Sequence, residues 1–273
     1  MKLVDAIRVR SQAWWEQACS ELARRSQRLG RGLELRMERF ITGWIMLVVL
    51  AAVLKVLSAP NRAGSVVIAL CMSLPFLALA AAPVIGYRLA VAAFPRKLDF
   101  GPPSFRLFRF GRWRTAAGRE VEQASVAGPA GFLVSLIIGL LLNVPMRSLE
   151  FLAVVPAINP GDPAWAHVLV VAMTCDVVLM NFAYMVCFVM ALRGNPLFPR
   201  LLVMVWVLDI VLQLGIARVI GLTDFPVTLV DPLVGFLDGN IKKVLVSAVL
   251  WLPYLIVSKQ VNLIFRHRVR LPA

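Results

Sequence analysis

Two carboxylates stand where charge is costly. Asp176 interrupts the apolar run VVAMTCDVVLMNFAYMV, residues 170–186, and Asp209 interrupts a second run. An ionised side chain at bilayer depth faces a bundle interior or a polar cavity and is usually paired. Gln213 follows Asp209 by four residues on the same helix face, with Trp206 flanking it. Lys55 lies in the first apolar run. Asp176, Asp209, Gln213 and Lys55 are therefore the candidate intramembrane polar cluster. Two uses suit it. One is a proton or cation relay, or a counter-charge for a substrate; the other is a polar clamp in which Lys55 and Asn181 satisfy the acids between helices. Asp209, Lys55 or both are the expected partners of Asp176. Asn181 sits about 140° around the helix from Asp176, away from it. It shares a face with Tyr184, which suits hydrogen bonding to a neighbouring helix.

Catalytic constellations are scarce. His167 and His267 are the only histidines and lie far apart, so no histidine-rich metal site is expected. The chain has no G-x-S-x-G and no Walker loop. The four cysteines, Cys19, Cys71, Cys175 and Cys187, form no CxxC pair. Three of them lie in apolar runs, so buried free thiols are expected rather than a disulfide framework. No enzyme activity, cofactor or metal follows from these residues.

The elements that must position the acids are membrane spans. Of the 273 residues 60% are hydrophobic and 16% charged, and the mean hydropathy is +0.79. A soluble domain has roughly 45–50% apolar and about 25% charged residues. The expected class is all-α: a polytopic membrane protein of about six transmembrane helices, with an N-terminal amphipathic helix. The spans fall near 41–59, 65–87, 128–146, 166–190, 200–219 and 241–258. They form a transmembrane domain, 41–258, between a helical segment, 1–40, and a basic tail, 259–273. The stretch 147–165, RSLEFLAVVPAINPGDPAW, is too short and too rich in proline to span; it suits an interfacial or re-entrant segment. No cleavable signal peptide and no internal repeat are evident.

The net charge of +14 is segregated by loop. Residues 1–40 hold nine Lys/Arg and the 95–127 loop seven, while Arg193 and Arg200 flank the connection after span four. The tail adds Lys259, Arg266, Arg268 and Arg270. Alternate loops carry Arg62 alone, then Arg147 alone, then Asp224, Asp231 and Asp238. The positive-inside rule therefore places both termini in the cytoplasm of a bacterium, with the chain in its inner membrane. Orientation accounts for the basic charge better than nucleic-acid binding does.

Leu3, Ile7, Trp14, Ala18 and Leu22 make one apolar stripe on a helix, beside arginines. Such a helix lies on an anionic membrane surface or binds a protein. The loop FRLFRFGRWR, residues 105–114, interleaves aromatics and arginines. Mixtures of this kind stack single-stranded nucleic acid. Between two spans they better suit the headgroup layer, with Arg106, Arg109, Arg112, Trp113 and Arg114 as candidate lipid-headgroup contacts. The expected partners are a bilayer with anionic lipids and another membrane protein, not nucleic acid.

Trp251-Leu252-Pro253-Tyr254, followed by Ser258-Lys259-Gln260-Val261 and Phe265, resembles the closing helix of an uncharacterised bacterial membrane-protein family, a domain of unknown function. Phe198-Pro199 resembles the start of its preceding helix, and Gly43-Trp44 its Gly-Gly-Trp-Leu opening, with Thr42 and Ile45 departing. The likeness covers span one and spans four to six, with residues 60–165 as an insertion. It implies an inner-membrane location and no reaction. More faintly, Gly86, Phe100-Gly101-Pro102, Ala127-Gly128-Pro129 and Leu237-Asp238-Gly239 resemble site-2-type membrane metalloproteases. Pro83, Val84 and Tyr87 stand where that family's two histidines and glutamate belong, which implies a degenerate, non-catalytic relative.

Sequence alone thus points to a non-enzymatic accessory or interaction component of the inner membrane. The alternative is a small proton- or cation-coupled transporter using Asp176 and Asp209. Cysteines introduced singly into 1–40, 95–127 and 259–273 should be labelled only from the cytoplasmic face. Labelling of the 95–127 loop from outside would overturn the orientation, because seven basic residues set it.

Overall fold

The computed structural model describes residues 36–59, 66–94, 113–116, 132–222 and 225–270. The amphipathic stripe of residues 3–22, and Arg106, Arg109 and Arg112, lie outside them. Among the described residues six helices are long and apolar enough to cross a membrane: α1 (Arg36–Leu57), α2 (Val66–Ala93), α3 (Phe132–Val154), α4 (Ala164–Leu192), α5 (Phe198–Leu222) and α6 (Val227–Val257). The short helix α7 (Lys259–Arg266) follows. Two three-residue strands, β1 (Trp113–Thr115) and β2 (Arg268–Arg270), pair antiparallel with Trp113 opposite Arg270. The chain is an all-α, multi-pass membrane protein.

Two boundaries depart from the sequence reading. Helix α3 continues through Arg147 and Glu150 to Val154, so the first part of 147–165 is helix rather than a re-entrant segment, and only 155–163 connects α3 to α4. Pro145 sits inside α3, as membrane helices tolerate when neighbours satisfy the freed carbonyl. Helix α6 begins at Val227 rather than near 241, its extra turns stabilised by an Asp238–Lys242 ion pair of 2.6 Å one turn apart. Neither charge ends its helix, because each meets a partner there.

Helix α4 is the axis. It packs against α2, α3 and α5, while α6 leans on α5. In its span 61% of residues are buried, against 17% in α1 and α6, so those two form the periphery. Helices α2 and α4 approach closely at Gly86. A Cβ on Gly86 would stand 2.8 Å from the Phe182 carbonyl oxygen, so the contact requires glycine there. Helix α1 is tied to α2 by Trp44 Nε1 donating to the Ala80 carbonyl (3.2 Å) and by Arg88–Glu38 (2.7 Å). The outward faces expose Leu47, Leu50, Leu54, Leu70, Leu74 and Val249, the surface that hydrocarbon would wet. Cys71 and Cys175 lie on that surface too; of the three cysteines in the helices only Cys187 is buried.

The buried apolar side chains fall into two layers. One holds Leu133–Val144 of α3, Met180–Ala191 of α4, Phe198–Trp206 of α5 and Phe265 of α7. The other holds Phe151 and Leu152 of α3, Leu169–Val177 of α4 and Ile216 and Ile220 of α5. Arg147, Asp176, Asp209 and Gln213 sit at or beside the junction on every one of these three helices.

One end of the bundle gathers basic segments. Arg193 donates to the carbonyls of Val91 (2.6 Å) and Phe94 at the end of α2. The Phe198 and Phe265 rings meet at 5.1 Å, and β1 joins β2. Ser258 caps α7, its Oγ accepting from Val261 N (3.4 Å). Asn262 Nδ2 then donates to the Ile256 and Ser258 carbonyls (2.9 and 2.8 Å), which ends α6 and turns the chain. Burial, with Arg200 close by, holds the Arg266 guanidinium below its ordinary range. At the opposite end Trp165 of α4 stacks on Phe225 at 5.4 Å.

Candidate functional site

Arg147 is the residue on which the two acids meet. Its Nη2 donates to both oxygens of Asp176 (3.0 and 2.8 Å), and its Nη1 donates to Asp209 Oδ2 (2.8 Å). The three residues come from α3, α4 and α5, so one planar guanidinium fork ties three helices together. Arg147 and Asp176 are each 8% exposed and Asp209 is fully buried. Neighbours complete the cluster. Tyr184 of α4 donates its hydroxyl to Asp209 Oδ2 (2.9 Å). Gln213 Nε2 reaches both Asp176 oxygens (3.1 Å). The Gln213 carbonyl faces Asn240 Nδ2 of α6 at 3.5 Å, a loose contact. One step away, Asn181 Nδ2 donates to Ser148 Oγ (2.8 Å), joining α4 to α3 beside the arginine.

The sequence-level cluster is thus assembled in part. Asp176, Asp209 and Gln213 come together. Lys55 does not reach them: its Nζ donates to the Val155 carbonyl (3.2 Å), tying α1 to the start of the α3–α4 connection. Arg147, assigned in the sequence reading to a loop, takes the place expected for Lys55. Asn181 and Tyr184 both bond to other helices, and Trp206 is buried beside Asp209.

Two polar atoms of the cluster, Arg147 Nε and Asp209 Oδ1, have no hydrogen-bond partner among the described residues. Arg147 and Asp209 are also among the residues that line a cleft of about 340 Å³ between α3, α5 and α6. Tyr184, Asn143, Trp206 and Trp251 are among its other lining residues. Lys243 of α6 closes one side, paired with Glu150 of α3 and donating to Asn240 Oδ1 (3.3 Å). Lys243 and Glu150 also escaped the sequence reading. The charge count gives no signal for them: inside the sequence spans Lys55, Arg200, Arg218, Lys242 and Lys243 outnumber Asp176 and Asp209.

At the basic end, the Arg268 guanidinium lies 4.5 Å from the centroid of the Trp113 ring and its Nε donates to Asn262 Oδ1 (2.7 Å). Trp113 is therefore half-buried against the tail, while Arg114 is exposed. Pro83 and Tyr87 are buried on α2, and Asp238 is exposed on α6, paired with Lys242. Among the described residues no group of three His, Cys, Asp or Glu side chains is placed to hold a metal ion. No protein-family model matches the chain, and no curated protein or solved structure matches it.

Asp176→Leu should destabilise the protein by about 1–2 kcal/mol, because Arg147 Nη2 and the Gln213 amide lose their acceptor; interhelical polar contacts in membranes average about 0.6 and reach about 1.7 kcal/mol. Asp176→Asn, which keeps an acceptor, should cost less than half of that. Thermal unfolding in detergent decides, and a leucine variant as stable as the wild type would remove Asp176 from the clamp.

Proposed function

We propose that the chain is a non-enzymatic carrier of the bacterial inner membrane, a small transporter coupled to a proton or a cation through Asp176 and Asp209. The observation that carries this reading is the buried Arg147 fork between two acids, at the wall of a mainly apolar cleft. Two carboxylates compete for one guanidinium. Neutralising Asp209 from the cleft side weakens its hold on Nη1, and Arg147 then rests on Asp176 alone, which already takes both bonds of Nη2. The bond between α3 and α5 is released while that between α3 and α4 persists. An arginine that loses one of its two partners in this way is an element that a charge arriving at one site biases.

Orientation follows the positive-inside rule, both termini cytoplasmic. The gathering of Arg193, β1 and the tail at one end of the bundle supports a common side for those segments. Anionic lipid is the expected surface there, with Arg114 exposed toward it.

A second reading, an accessory component that docks on another membrane protein, draws on α6. Asp238 and Lys242 are exposed on a peripheral helix, where a lipid-facing charge is costly.

Purified protein in vesicles should acidify the lumen, or take up a monovalent cation, when an inward gradient is imposed. Asp209→Asn should lower that flux by at least tenfold without loss of the folded protein. Wild-type vesicles no leakier than empty ones to protons, sodium, potassium and small organic cations would overturn the carrier and leave the docking reading.

A further inference from the structure

We infer that the cleft between α3, α5 and α6 is a binding site for a small organic ammonium ion, its positive charge seated against Asp209. This rests on the carrier reading and names its cargo or coupling ion. Three observations lead to it.

The first is charge. Asp176 and Asp209 face the single guanidinium of Arg147, and the neighbouring Glu150 is matched by Lys243. With every acid ionised the cluster is one positive charge short, a deficit that a proton or a monovalent cation fills, in a setting where an unbalanced charge is expensive. A single monovalent cation completes it.

The second is the hydrogen-bond deficit. Asp209 is fully buried, and both bonds it accepts go to Oδ2; no described donor reaches Oδ1. A buried carboxylate oxygen without a donor carries most of its desolvation cost uncompensated. An ammonium N–H, or the charge of a quaternary nitrogen, offsets that cost.

The third is the rest of the lining. Trp206, Trp251 and Tyr184 line the same cleft as Asp209. Aromatic side chains near a carboxylate suit an organic ammonium, which is poorly hydrated, over sodium or potassium, which hold their water. About 340 Å³ lies at the small end of ligand pockets. The cations already present do not compete, since Arg147 is shared by the two acids and Lys243 is held by Glu150 and Asn240. Gly139 lines the cleft as well, and a Cβ there would meet nothing within 4 Å.

The full chain in detergent is titrated with tetramethylammonium chloride and followed by tryptophan fluorescence and thermal unfolding. Potassium chloride and neutral tert-butanol serve as controls. A saturable response to tetramethylammonium alone is expected. Trp251→Leu should weaken it by about two- to thirtyfold, the range of a cation–π contact. Asp209→Asn should abolish it, and Gly139→Leu should weaken it by narrowing the cleft while leaving the charged cluster intact. An equal response to potassium, no response, or a response unchanged by both Asp209→Asn and Gly139→Leu overturns the assignment. Saturable binding in a protein that carries no flux retains the site and removes the carrier. Flux without ammonium binding removes this site and leaves the proton as the coupling ion.

Discussion

The fold depends on one compensation, that of two buried carboxylates by one arginine. In hydrocarbon neither acid is tolerable alone, and Arg147 is tolerable only because both are present. Its bonds run to α4 through Asp176 and to α5 through Asp209, so the register of three helices is set by a single planar group. A lysine would not serve equally, since its point charge cannot present two donor pairs in fixed directions. The two apolar layers are organised around that plane. Phe188, Phe198 and Phe265 pack on one side and Met173, Phe151 and Ile216 on the other. Apolar packing alone leaves sliding between membrane helices cheap, because lipid is as apolar as leucine. The polar junction makes one register preferred.

The same compensation is incomplete, and there structure passes into function. The excess carboxylate faces a cleft whose walls come from α3 and α6, helices that are bridged by Glu150–Lys243. Helix α6 is the least enclosed of those around the site. A charge entering the cleft therefore acts on the one side of the bundle that packing holds most loosely.

The class and the number of spans were legible because long apolar runs, broken by charged loops, have no soluble alternative. The meeting of Asp176, Asp209 and Gln213 was partly legible: both acids lie deep in consecutive spans, and spacing placed Gln213 beside Asp209. Arg147 was not. An apolar run that reaches an arginine near its eighteenth residue reads as a finished span, and a lone arginine suits a sparse outer loop. Only the tertiary fact that α3 continues to Val154 reveals it as an interior residue. Lys55 misled for the converse reason, being within a span yet near its end, where its ammonium reaches the Val155 carbonyl. A charge count over the spans does not help, since Lys55, Arg200, Arg218, Lys242 and Lys243 outnumber the two acids there.

The most direct measurement is the stability in detergent of Arg147→Met beside that of the triple variant Arg147→Met/Asp176→Asn/Asp209→Asn. If two acids depend on one arginine, the single variant is strongly destabilised, by about 3 kcal/mol on the scale of a broken buried pair. The triple variant, which removes every charge, then recovers most of that loss. A single variant as stable as the wild type, or a triple variant no more stable than the single, would contradict the compensation at Arg147.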